Sequence, residues 1–293
     1  MRPTTDHVPN WGDAAELIAL LDVQPDGERS WIGMARPGHQ RSVVEGSQML
    51  GQAIVAAGRH APGRRVVSAS MVFIRAADTD RPIRLHLDEL RAGRTFVALG
   101  VRVEQASVPC ATGSLLLDVT APDVIRHRVD APDVAGPHES EPFDMSVVGR
   151  DVHVVDGAYT DDADAPVGPP VIDAWVRYRD VPDDPVLHAA LLAQFTGHMS
   201  IAAALRPHAG IGQEQAHRAL STAINAITLS FHREVRADRW MLYHHLSSFA
   251  GDGMTHSECR VHDEAGDLLA SFTVDAMVRN FAAGTTVDEK RSL

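Results

Sequence analysis

The segment 187-LHAALLAQFTGHMSIAAALRPH-208 decides the expected fold. Its apolar residues do not follow one stripe but cover most of the circumference of a helix, and a helix that is hydrophobic all round is buried. Small residues recur through it and let other backbone approach closely. The segment is about as long as a membrane span, yet it contains His188, Gln194, Thr196, His198 and Arg206. We therefore expect the central helix of a soluble fold.

Working outward toward the N-terminus, the hydrophobic pattern predicts two helices and a run of strands. Residues 12–23 form a short amphipathic helix with Asp13 as its N-cap, and residues 46–58 form a second apolar helix rich in small residues. Strands are predicted at residues 29–34, 66–73, 83–90, 96–103 and 108–119. Helices followed by a run of strands indicate an α+β fold rather than an alternating α/β fold.

The composition changes over residues 121–170, which are rich in Pro, Asp, Gly and Val. This is typical of a linker, here with one strand at residues 152–155. The acidic residues Asp161, Asp162 and Asp164 lack the glycine and terminal glutamate of a calcium-binding EF-hand loop, so they predict a solvated loop. A strand with clear alternation follows at residues 171–179.

The second half of the chain repeats the first with an offset of 158 residues. SMVFIRAADTDRPI at 70–83 aligns with TLSFHREVRADRWM at 228–241, which places Phe73 over Phe231 and Arg75 over Arg233. The same offset brings the Ala-Gly pair at 92–93 onto the pair at 250–251 without a gap. We interpret this as a tandem duplication of one helix wrapped by a curved antiparallel sheet.

The bulk composition excludes several classes of protein. A formal net charge of -12 argues against a nucleic-acid surface. Two distant cysteines, Cys110 and Cys259, indicate a reducing compartment rather than a disulfide framework. With no apolar run for a signal peptide at the N-terminus, the cytoplasm is the expected location. The motifs of serine hydrolases, zinc proteases, dinucleotide-binding proteins and P-loop proteins are not found.

Six motifs resemble the acyl-CoA thioesterase II family. They are GSQMLGQAI (46–54), FIRAADTDRPI (73–83), LRAGRTF (90–96), AALRPH (203–208), FHR (231–233) and ASFTVDAMVRN (270–280). The match extends from about residue 12 to residue 281. The resemblance implies an α+β double hotdog, in which two antiparallel sheets are each wrapped around a central helix. The expected domains are an N-terminal hotdog (1–122), a linker (123–150), a C-terminal hotdog (151–282) and a tail (283–293).

The resemblance also implies hydrolysis of fatty acyl-CoA to free fatty acid and CoA, with no metal and no other cofactor. In that family the attacking water is held by an Asp on the second-half helix, a Ser or Thr on the following strand and a Gln on the last strand. This chain has Gly197, Ile224 and Val274 at those positions. We therefore expect a rearranged or weakened active site.

Neighbouring polar residues are the candidates for a replacement. His198 adjoins Gly197 and is the first choice for the general base, because an imidazole titrates near neutral pH. Thr196 either holds the water or caps a helix that restarts at Gly197. Asn225 either polarises the carbonyl or satisfies backbone groups at the end of a strand.

Glu45 stands at the head of the first-half helix. A carboxylate is favoured there by the helix dipole alone, but an acid near this helix also suits thioester hydrolysis, with Gln48 as its partner. The residues predicted to contact the substrate are Gly197, Thr228, Arg75, Arg233 and Arg279. The three arginines are candidate partners for CoA phosphates, and local ion pairs are their alternative role.

Two other functions remain open. The three missing family residues favour a non-catalytic double hotdog that binds acyl-CoA or lipid. An enoyl-CoA hydratase is weaker, because no paired Asp and His are found on one helix-strand segment. The expected partners are an acyl-CoA ligand and further copies of the chain, since hotdog units commonly associate through sheet edges. No nucleic acid and no membrane span are expected.

Overall fold

The computed structural model of the protein describes residues 14–35, 43–145, 149–159, 162, 164–216 and 219–285. Its helices are α1 (Ala14–Leu21), α2 (Gly46–His60), α3 (Pro185–Phe195) and α4 (Ser200–Leu205). Its strands are β1 (Gln24–Pro25), β2 (Ser30–Gly33), β3 (Arg65–Phe73), β4 (Ile83–Ala92), β5 (Phe96–Gln105), β6 (Val108–Asp118), β7 (Glu141–Pro142), β8 (Arg150–Val154), β9 (Val171–Tyr178), β10 (Leu220–Phe231), β11 (Met241–Gly251), β12 (Met254–Asp263) and β13 (Leu268–Asn280). The predicted helices and strands of the first half are confirmed to within a few residues. The predicted N-cap Asp13 lies outside the described residues.

The strands form one antiparallel sheet whose order reads nearly the same from either end. The order is β1-β2-β4-β5-β6-β3-β10-β13-β12-β11-β9-β8-β7. The two halves meet where β3 pairs with β10, with Ser70 opposite Thr228. Their hydroxyl oxygens lie 3.0 Å apart. These two residues are separated by 158 positions, which is the repeat offset found in the sequence.

The sheet differs from the expected pair of separate sheets. Because β3 and β10 exchange backbone hydrogen bonds, the 13 strands are continuous. The first half contributes six strands and the second half seven, and in each half the strand that follows the helices, β3 or β10, lies at the centre of the whole sheet. The boundaries predicted for the domains stay a prediction.

Both free edges of the sheet end in very short strands. β1 and β7 have two exposed residues each, and each contains a proline, Pro25 and Pro142. Proline has no backbone N–H to donate to a further strand. The edges are therefore poor templates for strand addition.

The core lies between the sheet and the antiparallel helices α2 and α3. Residues of α2 are buried continuously from Ser47 to Gly58. The helices approach closely because the contacts are small: a Cβ built on Gly51 would lie 3.0 Å from the Ala190 carbonyl oxygen, and one built on Gly58 would lie 2.7 Å from Val186. The all-round apolar character of both helices is explained by this double burial.

The predicted continuous helix over residues 187–208 is wrong. It is interrupted between α3 and α4, where Met199 adopts a left-handed backbone conformation with φ of 66°. The stretch Pro185–Leu205 has the length and apolar character of a membrane span, but 72% of the 18-residue window that gives it this character is buried within the fold. It is the core of the protein, as expected.

The segment predicted as a linker packs along the second half of the chain. The Trp175 indole N–H donates to the Ala135 carbonyl (2.9 Å). Val134 and Ala135 pack against a buried cluster that includes Trp175 and Trp240.

The strand predicted at residues 152–155 is confirmed as β8. Of the acidic run, Asp161 lies outside the described residues, and the Asp162 carboxylate accepts from the Asp164 backbone N–H (2.9 Å).

Candidate active site

The beginning of α2 meets the turn between α3 and α4. A Cβ built on Gly197 would lie 2.4 Å from the Ser47 hydroxyl oxygen and 2.9 Å from its Cβ, so the two segments are in direct contact. The small-residue packing of α2 against α3 brings the turn to this position. Residues from both halves of the chain therefore share one site.

Local hydrogen bonds hold the turn in place. The Thr196 hydroxyl donates to the Ala193 carbonyl (2.6 Å) at the end of α3. The Ser200 backbone N–H donates to the His198 carbonyl (2.9 Å). Thr196 is fully buried and is the C-cap residue of α3. It does not cap a helix that restarts at Gly197, because the next helix begins only at Ser200.

Glu45 occupies the N-cap position of α2 but does not cap it. Its side chain makes no capping hydrogen bond to its own helix. Instead, its Oε2 atom lies 3.9 Å from Nε2 of His198 and 3.5 Å from Nε2 of Gln194. At the beginning of α3, by contrast, Asp184 accepts from the Val186 backbone N–H (2.9 Å), and Pro185 removes one helix N–H. Of these two helices, only α2 therefore has an N-cap carboxylate that approaches side chains from the other half of the chain.

His198 is held as a neutral imidazole. Burial lowers its pKa well below the usual 6.5, and the nearby Arg150 guanidinium and the His245 ring act in the same direction. The Nε2 atom is buried, whereas the side chain as a whole keeps 14% of its exposure. A neutral ring with one edge toward a carboxylate and another edge partly exposed has the arrangement of a general base.

A polar network behind Glu45 was missed by the sequence analysis. Arg150 is only 5% exposed, and its Nη1 donates to Oε1 of Gln194 (3.1 Å). The Tyr178 hydroxyl donates to the same oxygen (3.3 Å). The guanidinium also stacks on the Phe195 ring, 5.1 Å from its centroid. Gln194 carried a signal, because it is polar within a helix that is buried all round; Arg150 carried none.

The three positions that hold the family residues come together only in part. The Cβ that Gly197 lacks would lie 3.7 Å from Cδ1 of Ile224, so both positions face the same site. Val274 is buried in β13, opposite Ile227. Ser47 occupies the space that an Asp at position 197 would need. At these three expected positions the structure has close apolar and small-residue packing.

Asn225 lies at an irregularity in β10. The pairing with β13 shifts between Ile224 and Ala226, which makes Asn225 the extra residue of a β-bulge. Its side-chain oxygen is buried and has no hydrogen-bond partner in the described part of the chain. The bulge allows Asn225 and Ile224 to depart from strict alternation.

Other predicted site residues lie elsewhere or make local contacts. The Gln48 amide donates to the Met34 carbonyl (3.1 Å) rather than to Glu45. Thr228 is exposed, because the alternating neighbours Ile227 and Leu229 are buried. Among the arginines, Arg233 lies 3.8 Å from Asp267, and Arg75 and Arg279 are exposed. Within the described ranges, no three His, Cys, Asp or Glu residues are grouped as metal ligands.

Comparison with known proteins identifies the family of the chain. A family model for the acyl-CoA thioesterase N-terminal domain matches residues 35–117, and one for the acyl-CoA thioesterase C-terminal domain matches residues 121–278. Acyl-coenzyme A thioesterase 8 of Mus musculus is 25% identical and covers 92% of this chain and 91% of its own length. Acyl-CoA thioesterase 2 of Haemophilus influenzae is 25% identical, with 90% and 96% covered.

Solved structures share the overall fold of this chain. The acyl-CoA thioesterase II TesB2 from Mycobacterium marinum has a TM-score of 0.77 and 25% identity, and covers 92% of this chain and 100% of its own. A hotdog-fold protein of unknown function from Alicyclobacillus acidocaldarius has a TM-score of 0.74 and 16% identity, with 91% and 98% covered. This confirms the hotdog-type α+β fold. The chain belongs to the acyl-CoA thioesterase family, and it is a thioester hydrolase that acts on acyl-CoA.

Proposed function

We propose that hydrolysis of acyl-CoA takes place between the beginning of α2 and the α3–α4 turn, with His198 as the general base and Glu45 as the residue that orients it. The observation that carries this proposal is the 3.9 Å approach of Glu45 to His198 by a carboxylate that does not cap its own helix. The pair takes the place of the three polar residues that are absent at positions 197, 224 and 274.

In this scheme His198 removes a proton from a water molecule on its partly exposed edge. The water oxygen attacks the carbonyl carbon of the thioester, and the carbonyl π electrons move to the oxygen. When the tetrahedral intermediate collapses, the carbon–sulfur bond breaks and the electron pair leaves with sulfur. The imidazolium returns its proton to the CoA thiolate, and the products are a fatty acid and CoA. Glu45 favours the imidazolium that forms between these steps.

The beginning of α2 suits the negative charge on the carbonyl oxygen. The first N–H groups of a helix have no partner within the helix, and the helix dipole favours an anion there. In α2 these groups belong to Gly46 and Ser47, next to the site. The α3 end is unsuited, because Pro185 lacks the N–H and Asp184 already accepts from Val186.

The proposal is tested by Glu45→Gln and His198→Gln, assayed by release of CoA thiol from medium- and long-chain acyl-CoAs. Each change is expected to lower kcat by about 100-fold or more. Asp184→Asn is the matched control, since it alters the carboxylate at the other helix N-terminus and keeps a capping side chain; its kcat is expected within about twofold of the unaltered protein. Full activity of either Glu45→Gln or His198→Gln would refute the assignment.

The same assay separates the other functions. A protein that binds a non-hydrolysable acyl-CoA analogue in calorimetry but releases no CoA from any chain length would be a binding protein. Loss of the crotonyl-CoA absorbance without CoA release would indicate a hydratase. The absence of the three family residues is the reason for testing the first alternative, a binding protein without catalysis.

We also keep the predicted homo-oligomer and cytoplasmic location as proposals. Exposed apolar side chains near the junction of the two halves, Val72 and Ile74, support association of copies. Two free buried cysteines, Cys110 and Cys259, support a reducing compartment. A monomeric mass in light scattering would contradict the first proposal.

A further inference from the structure

Gln194 connects the proposed catalytic pair to a buried cation. It lies on α3 and is 1% exposed. Its Nε2 donates to Glu45 (3.5 Å), and its Oε1 accepts from Arg150 (3.1 Å) and from Tyr178 (3.3 Å). An amide between a carboxylate and a guanidinium links the two charges without direct contact between them.

Oε1 faces the Arg150 donor and Nε2 faces the Glu45 acceptor, and these two contacts fix the orientation of the amide. The single hydrogen of the Tyr178 hydroxyl is shared between Oε1 and the Leu191 carbonyl oxygen. If the amide were reversed, its NH₂ group would face the Arg150 N–H, and both groups are donors. Its oxygen would then face the Glu45 carboxylate, which is an acceptor. Only the observed orientation satisfies the network, so Nε2 always faces Glu45.

The donors themselves are held rigidly. The Tyr178 hydroxyl also lies 3.0 Å from the Leu191 carbonyl oxygen, one turn earlier on α3. The Arg150 guanidinium stacks on Phe195 and has a second, weak contact from Nη2 to Sδ of Met145 (3.7 Å). Its Nε is buried without a partner among the described residues. Gln194 therefore supplies an amide acceptor to this buried cation, beside the oxygen of Tyr178.

We propose that Gln194 is a positioning residue for the hydrolysis: with its oxygen held by Arg150 and Tyr178, its amide N–H group fixes the Glu45 carboxylate in the direction of His198. This inference rests on the proposed function. It adds one requirement to that function: a residue of α3, in the second half of the chain, must hold the Glu45 carboxylate in position. Gln194 does not contact the reacting atoms and acts through Glu45.

The deciding variant is Gln194→Glu. The new carboxylate keeps acceptors for Arg150 and Tyr178, so the fold is expected to remain, but in its ionised form it cannot donate to Glu45. Two adjacent carboxylates resist simultaneous ionisation, so the acid limb of the pH–rate profile is expected to move to higher pH by about one unit or more. At pH 7, kcat is expected to fall by about 10- to 100-fold while KM stays within about twofold.

Gln194→Met is the matched uncharged variant. It has a similar length and removes the donor without adding a charge, so it is expected to lower kcat and to leave the acid limb where it is in the unaltered protein. Tyr178→Phe gives a third measurement if Gln194→Glu does not fold: loss of one of the two donors on Oε1 is expected to lower kcat about threefold or more, with KM unchanged. Near-ultraviolet circular dichroism and Tm report folding for each variant.

The outcomes separate this inference from the proposed function. If Glu45→Gln and His198→Gln are inactive while Gln194→Glu keeps the original pH profile and kcat, Gln194 is not a positioning residue and the inference is overturned. If Glu45→Gln or His198→Gln is fully active, the proposed function itself fails. A shifted acid limb in Gln194→Glu together with an unshifted limb in Gln194→Met supports the inference.

Discussion

Acidification is expected to destabilise the protein through His245. The ring is fully buried between Tyr243 and Phe272, and its Nδ1 lies 3.3 Å from the Ser200 hydroxyl. Desolvation lowers its pKa from 6.5 to about 3, and the nearby His244 contributes in the same direction. The unfolded chain therefore binds a proton below pH 6.5 that the folded chain refuses until about pH 3.

The sign and size of the effect follow from this difference. A histidine with a depressed folded pKa leaves stability intact above pH 6.5 and reduces it as the pH falls, by about 1.4 kcal/mol for each unit between the two pKa values. Between pH 7 and pH 5, His245 alone is expected to lower the free energy of unfolding by about 2 kcal/mol. Burial lowers the pKa of His188, His232 and His262 as well, which adds to the loss.

The measurement is urea unfolding at pH 7 and pH 5 for the unaltered protein and for His245→Phe. Because each protein is compared with itself at two pH values, the packing cost of the substitution cancels. The pH-dependent loss is expected to be about 2 kcal/mol smaller in the variant. His127→Gln, at an exposed position, is the control and should keep the original pH dependence. If His245→Phe loses as much stability as the unaltered protein, the assignment of the effect to His245 is wrong.

Three further results are expected. Gly197→Ala should lower the free energy of unfolding by about 1–3 kcal/mol, because its Cβ would overlap Ser47. In denaturant unfolding, the double variant with Ser47→Gly should recover most of this loss, and additive effects of the two changes would contradict the contact. Since burial holds the pKa of His198 well below 6.5, the acid limb of kcat/KM should lie below pH 6.5, and a limb at or above that value would argue against His198 as the base. The exposed hydroxyl pair Ser70 and Thr228 should show a coupling energy below about 1 kcal/mol in a double-mutant cycle of alanine variants, and a larger value would mean that this bond stabilises the junction.

The repeat in the sequence predicted two copies of one helix-and-sheet unit, and the order of the strands is nearly symmetrical about the centre of the sheet. Ser70 and Thr228, separated by the repeat offset, are directly opposite each other. The continuity of the sheet was not predicted. Pairing of β3 with β10 depends on how the two halves are placed, and the pattern of apolar residues within each strand is the same for one sheet or two.

The site was predicted only in part. His198 and Glu45 were selected separately, but their proximity results from the packing of α2 against α3 and could not be derived from spacing. The break at Met199 had no glycine at the left-handed position to indicate it, since Gly197 lies two residues earlier. Arg150 lies in a segment interpreted as a linker, where an arginine normally signifies solvent contact.

The proline-containing ends of the sheet affect how the protein behaves at high concentration. A ribbon of 13 strands would be a dangerous seed for fibrils if its outermost strands were long and flat. Here each outermost strand has only two residues, and one of them, Pro25 or Pro142, has no backbone N–H to donate. Both ends are therefore poor templates for addition of a foreign strand, which favours association of copies through the broad faces of the sheet.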